Sequence, residues 1–238
     1  MALPKANTAI YTTKIPSTEQ VVKFRPFLVK EEKALLIAQQ SEDHNVMVNT
    51  LKSILTDCVI DKLDIQSLAI FDLEYLLLQI RAKSIGEIAE LMFSCDTCND
   101  PKAKAKVFID LTKIQIIKNP LHKKKIELFD NVGVVMQYPN IDDVTKFGEL
   151  NLDENIDDVF SLIIASIDYI YDGNEIYHSK EQSKDELEEF INNLTQQQFK
   201  LIQEFFETMP KLRQDVAYTC PVCNKFHNRY IEGIESFF

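Results

Sequence analysis

Two C-x-x-C pairs, Cys95-Asp96-Thr97-Cys98 and Cys220-Pro221-Val222-Cys223, constrain this 238-residue chain more than any other feature. They share one plan. Each has an aromatic two residues before its first cysteine (Phe93, Tyr218), an asparagine directly after its second (Asn99, Asn224), and β-type sequence on both sides. A zinc knuckle needs this pattern, because a tight turn between strands lets two thiolates and the turn's N–H groups converge on one point. Two facing knuckles complete a closed, tetrahedral set of four cysteines, which is structural and not catalytic. Cys95, Cys98, Cys220 and Cys223 are therefore candidate ligands of a structural Zn2+. With 121 residues between Cys98 and Cys220, the ribbon-like module has to be split around an insertion.

The competing chemistry is redox. A reactive C-x-x-C sits at a helix N-terminus, which lowers the thiol pKa, whereas both pairs here precede turn or β-type residues. Unmetallated thiols are the remaining alternative. His227 is a possible replacement ligand, although a solvent-facing hairpin position is the simpler expectation. Cys58 ends an amphipathic segment and reads as a small buried hydrophobe.

Along the chain, β-branched runs at 8–15 and 20–25 flank Pro16-Ser17-Thr18-Glu19 and predict a hairpin. Helices are predicted at 29–40, at 42–58 with Ser41 as cap, and at 70–83, where few charges imply a mostly buried circumference. Strands follow at 87–94 and 104–111 around the first cysteine pair, then at 125–129 and 132–138 through Asp130-Asn131. From 140 to 208 the pattern reads as helical, with capping boxes at Ser183/Glu186 and Thr195/Gln198. Strands at 213–219 and 225–232 flank the second pair. The fold class is α+β: a hairpin and helices over 1–86, a β-rich split zinc-ribbon-like module over 87–139 and 211–238, and an acidic helical insertion over 140–210.

Common enzyme signatures are missing. The five glycines never approach closer than fifteen positions, which excludes G-x-G-x-x-G, the phosphate loop and G-x-S-x-G. The four histidines stand too far apart for H-E-x-x-H. Pairs such as Asp142/Asp143 and Asp157/Asp158 are what an acid-rich chain produces by chance. No apolar run reaches membrane-spanning length, and Met1–Thr8 is too polar for a secretory signal. The expected setting is a reducing cytosol.

The net charge of -11 repels nucleic acid as a whole. It is unevenly spread. Residues 101–125 hold eight lysines against Asp110, and 141–190 hold fifteen acids against three lysines. Such blocks suggest interaction surfaces. Lys102, Lys104 and Lys106 alternate, so a strand would project all three from one face as a dock for an acidic partner. The knuckles and this run also permit an alternative, a nucleic-acid-binding zinc protein, though no aromatics interleave with the lysines for base stacking. Phe237-Phe238 could enter the core or a partner.

Ala2-Leu3-Pro4, the block Val22-Lys23-Phe24-Arg25-Pro26-Phe27-Leu28-Val29-Lys30-Glu31-Glu32-Lys33 with Leu35-Leu36-Ile37-Ala38, and Phe71-Asp72-Leu73-Glu74-Tyr75 with Leu78–Glu87 resemble a baseplate-protein family of T-even-type contractile-tailed bacteriophages. The resemblance implies a non-enzymatic tail protein of the baseplate hub, as hub subunit or assembly chaperone. Its implied partners are other hub proteins and the tape-measure protein. Its implied location is the host cytoplasm during assembly and the virion tail baseplate. Arg25, Phe27 and Lys30 are the candidate partner-binding residues of the block, beside Lys102, Lys104 and Lys106.

Overall fold

The computed structural model describes residues 8–41, 43–98, 100–143 and 156–233, and these fall into two compact units. The first holds the described residues up to 65, 71–117 and those from 211 onward; the second holds 66–70 and 118–210. The fold is α+β, and no helix among the described residues is long and apolar enough to cross a membrane.

The first unit opens with the expected hairpin, β1 (Tyr11–Lys14) and β2 (Val21–Phe24). Its turn is fixed from outside. The buried carboxylate of Asp72 accepts from the Ser17 amide at 2.9 Å and from its hydroxyl at 2.5 Å. Asp72 lies in the first turn of helix α3 (Ile70–Ser84), where the helix dipole also favours negative charge. Helix α1 (Val29–Ser41) buries Glu31, Leu35 and Ala38, a stripe at helical spacing. Helix α2 (His44–Cys58) is capped by Asp43, whose side chain accepts from the Asn45 and Val46 amides, and not by Ser41. Ser41 instead donates back to the Ala38 carbonyl and closes α1. Helix α3 buries eight of its fifteen residues, in keeping with its apolar circumference.

Two cysteine-bearing hairpins complete this unit. Strand β3 (Ile88–Ser94) pairs antiparallel with β4 (Lys104–Asp110). After a short 3-10 turn, β5 (Ile116–Ile117) pairs with the start of β10 (Lys211–Thr219), which pairs with β11 (Phe226–Glu232).

The second unit contains a four-stranded antiparallel meander, β6 (Lys125–Phe129), β7 (Val132–Met136), β8 (Ile167–Asp172) and β9 (Glu175–His178). Asp130 and Asn131 both take positive φ (39° and 67°), the two-residue turn that matches strand twist. The sequence reads 140–208 as helical throughout; the β8–β9 hairpin corrects that. Ile167-Asp168-Tyr169-Ile170-Tyr171-Asp172 is β-branched and aromatic, and Gly173 at φ 57° turns the chain, a hairpin signal that the acidic composition obscures. Strand β6 therefore pairs with β7 and β7 with β8, not with the cysteine hairpins. Helices α4 (Ile156–Ala165), α5 (Lys184–Asn192) and α6 (Gln196–Thr208) accompany the sheet, and both expected capping boxes are present. Val134, Leu162, Ile167, Ile191, Ile202 and Phe205 are among its core. The Phe237-Phe238 pair lies outside the described residues.

Candidate metal centre

The two C-x-x-C turns close β3–β4 and β10–β11, and they are built alike. The first cysteine of each begins its turn by donating its amide across the hairpin: Cys95 to the Ala103 carbonyl and Cys220 to the Lys225 carbonyl, both at 2.9 Å. Each first sulfur then accepts an amide from two residues on, Thr97 to Cys95 and Val222 to Cys220, both at 3.4 Å. Asn224 sits at φ 55°, which explains an asparagine after the second cysteine, since this residue tolerates the left-handed region. Its counterpart Asn99 lies outside the described residues.

The shared aromatics hold the hairpins together. Phe93 and Tyr218 stack with ring centroids 5.3 Å apart, and the Tyr218 hydroxyl donates to the Ser94 carbonyl at 3.1 Å. Lys225 donates to Thr97 Oγ1 at 2.8 Å, and Arg229 pairs with Asp96 Oδ2 at 2.7 Å. Residues 128 and 133 positions apart thus meet through side chains of the two hairpins.

The four sulfurs converge. All lie within 4.8 Å of one another, with Cys95 Sγ 3.8 Å from Cys223 Sγ and Cys98 Sγ 3.6 Å from Cys220 Sγ. Four thiolates at about 2.3 Å from a tetrahedral zinc would be separated by about 3.8 Å. The donor set also fits electrostatically. The Thr97 amide, foremost, draws the Cys95 thiol down to about 5, and the Cys223 amide, foremost, holds Cys220 below the ordinary thiol value. Burial, with hydrogen bonding to the neighbouring sulfurs, drives Cys98 up to about 12. Four sulfurs this close cannot all ionise by themselves, and a dication removes the conflict. The four cysteines could hold a metal ion, and an all-thiolate, tetrahedral set is one that zinc or an iron–sulfur centre accepts.

His227 corrects the expectation of a solvent-facing ring. It is 6% exposed and stacks on Tyr218 at 4.9 Å. Its Nε2 is 3.3 Å from Cys95 Sγ and its Nδ1 is 3.5 Å from Asp96 Oδ1. It forms a separate group with Cys95 and Asp96, beside the four-sulfur set. Sequence reasoning missed Asp96, Lys225 and Arg229. The alternation of Lys225, His227 and Arg229 along one strand face was the available signal. Cys58 is fully buried away from this centre, and burial raises its thiol to about 11.

The other candidate residues lie elsewhere. Arg25 donates to Glu31 Oε1 at 2.7 Å and to the Pro26 carbonyl at 3.0 Å, bracing the junction between β2 and α1. Phe27 donates its amide to Ser84 Oγ at 2.7 Å. Lys30 is exposed and pairs with Asp57 and Glu31. Lys104 and Lys106 share the exposed face of β4, with Lys106 paired to Glu90, while Lys102 lies in the preceding turn. The lysine-rich run is divided between the units at residue 117. In the second unit Lys124 and Lys125 cover the Tyr138 and Tyr171 rings at 4.2 and 4.4 Å.

A family model described as T4 bacteriophage base plate protein matches residues 8–238. No curated protein and no solved structure matches significantly.

Proposed function

The chain belongs to the T4 bacteriophage base plate protein family, and from that premise we propose that it is a non-enzymatic protein of baseplate hub assembly, a hub subunit or an assembly chaperone, built around a structural zinc. The family match across 8–238 is the observation that carries the baseplate role. The zinc reading is supported by four sulfurs at near-tetrahedral spacing, brought together by two matched turns.

Its partners are other hub proteins and the tape-measure protein, met in the host cytoplasm and, for a subunit, retained in the virion tail baseplate. Lys102, Lys104 and Lys106 form the exposed basic surface for an acidic partner. Charge of this kind steers encounter, and packing then fixes the complex. Arg25 and Phe27 serve the fold at their junction and shape the surface from which Lys30 projects.

Quantitative mass spectrometry of purified particles against infected-cell lysate tests the role. Stoichiometric recovery in particles makes the chain a subunit, and abundance in lysate alone makes it a chaperone. Absence of any association with baseplate proteins in either sample rejects both.

A further inference from the structure

The first cysteine hairpin turns an apolar face to solvent. Its inner face is already packed: Ala89 and Ile109 are buried, and Phe93 stacks on Tyr218 of the second hairpin. The outward positions, Ile88, Glu90, Met92 and Ser94 of β3 with Lys104, Lys106 and Phe108 of β4, are all exposed. An antiparallel ribbon with one packed face ordinarily carries polar residues on the other. Here three outward positions hold large apolar side chains instead, Ile88 at 56%, Met92 at 55% and Phe108 at 64% exposure. They are contiguous. The register sets Phe108 opposite Glu90, so Ile88 and Met92 are its two diagonal neighbours. Single exposed apolar residues are normal, whereas a contiguous patch with a polar rim marks an interaction site.

Charge on this face runs one way. At the end away from the cysteine turn, Asp110 is held by Thr112 and Lys113; in the middle, Lys106 is paired with Glu90. Toward the turn stand Lys104, opposite Ser94, and Lys102 beyond it, and among the described residues neither has an ion pair. In a chain of net charge -11, two lysines that meet no carboxylate of their own leave their charge for another molecule. The dimensions select a helix. One helix, about 10–12 Å across with its side chains, covers a ribbon whose two strands lie about 4.8 Å apart, and a second sheet would overhang it. The paired length, Ile88 to Ser94, runs about 23 Å, the rise of about fifteen helical residues.

We infer that this face docks an amphipathic helix of another baseplate protein, its apolar stripe laid over Ile88, Met92 and Phe108 and its carboxylates at the end that meets Lys104 and Lys102. The inference deepens the basic-surface reading above and rests on it, since the same lysines receive the partner's charge; it does not depend on the metal. Desolvation of the apolar patch supplies the affinity, and the lysines fix which way the helix lies. A helix set down in reverse would bring its carboxylates toward Asp110 and leave both lysines unpaired, so the graded face also rejects the wrong orientation.

The probe is a peptide of that length, blocked at both ends, with leucines along one helical stripe, glutamates at one end, and alanine and glutamine elsewhere. It is added to the full chain with isotope-labelled methionine methyls. The Met92 methyl resonance should shift, while those of Met136 and Met209, buried in the second unit, stay in place. Replacing the glutamates by lysines should weaken binding about tenfold, the loss of two rim ion pairs, and replacing the leucines by serines should abolish it. No shift at Met92, equal binding by the lysine peptide, or equal binding by a peptide interrupted with proline at its centre overturns the inference. So does a Met92 shift that follows protein concentration alone, which makes a second copy the occupant. Capture by isolated baseplates separates the two readings. Lys102→Glu/Lys104→Glu and Met92→Ser/Phe108→Ser change exposed positions only, so hydrogen exchange at Ala89 and Ile109 should match wild type in both, and both should lose capture. Loss with the lysine variant alone sinks helix docking and leaves the basic surface standing. Loss with the apolar variant alone removes the acidic partner, and loss with neither sinks both.

Discussion

His227 Nε2 lies 3.3 Å from Cys95 Sγ across 132 positions of sequence. Asp96 stands 3.5 Å from the other ring nitrogen, and Arg229 fixes Asp96 in turn at 2.7 Å. The second hairpin thereby orients a candidate metal ligand of the first. Arg229, foremost, also keeps the Asp96 carboxyl below its ordinary range, so that this carboxylate stays charged well into acid.

His227→Ala should lower zinc affinity by about 10–100-fold, the usual cost of losing a partner that orients a metal ligand. Cys95 should then become the first cysteine alkylated, and His227→Gln, which keeps a donor, should restore most of the loss. Chelator competition with cysteine-resolved alkylation measures both. Unchanged affinity and alkylation order in His227→Ala argue against the network.

Chelation should act on one unit. Removing the metal should speed hydrogen exchange in β3, β4, β10 and β11 while the β6–β9 sheet keeps its protection, since its core is a separate cluster. Uniform loss across both units would mean that the zinc staples more than its hairpins.

Glu31 is 3% exposed and accepts from Arg25 and from the Leu28 amide, each at 2.7 Å. Burial alone would raise its carboxyl, but the bonds from Arg25, Leu28 and Lys30 outweigh it and hold the value low. A depressed folded value adds stability above the unfolded glutamate value of about 4.3, and that stability is lost as pH falls through the folded one. Glu31→Ala should cost about 1–3 kcal/mol at neutral pH, with the difference from wild type shrinking in acid. Urea midpoints at two pH values test this.

A Cβ on Gly133 would stand 2.2 Å from the Ile126 carbonyl oxygen and 2.4 Å from the Tyr171 hydroxyl. Gly133→Ala should therefore destabilise the second unit by about 2–3 kcal/mol through overpacking, and adding Tyr171→Phe should relieve only the hydroxyl clash. Thermal unfolding of the two variants decides it.

Much of this was legible in the residues. The two knuckles, the helix stripes, the Asp130-Asn131 turn and both capping boxes are local patterns whose physics acts within a few positions. The residues that carry the family likeness were legible too, but their role was not. Arg25 bonds Glu31, Phe27 reaches Ser84, and Asp72 holds Ser17, so the likeness marks how the hairpin seats on its helices. The β8–β9 hairpin was missed because acidic residues interrupt its apolar alternation.

The sequence by itself determined that two matched cysteine turns exist, that each bends between strands, and that enzyme motifs are missing, because spacing and residue type settle such matters locally. Only the tertiary structure decided that the four sulfurs meet, that His227 turns inward, and that the lysine run is divided between two units. Each of these joins residues far apart in the chain, and no local propensity encodes the distance between them.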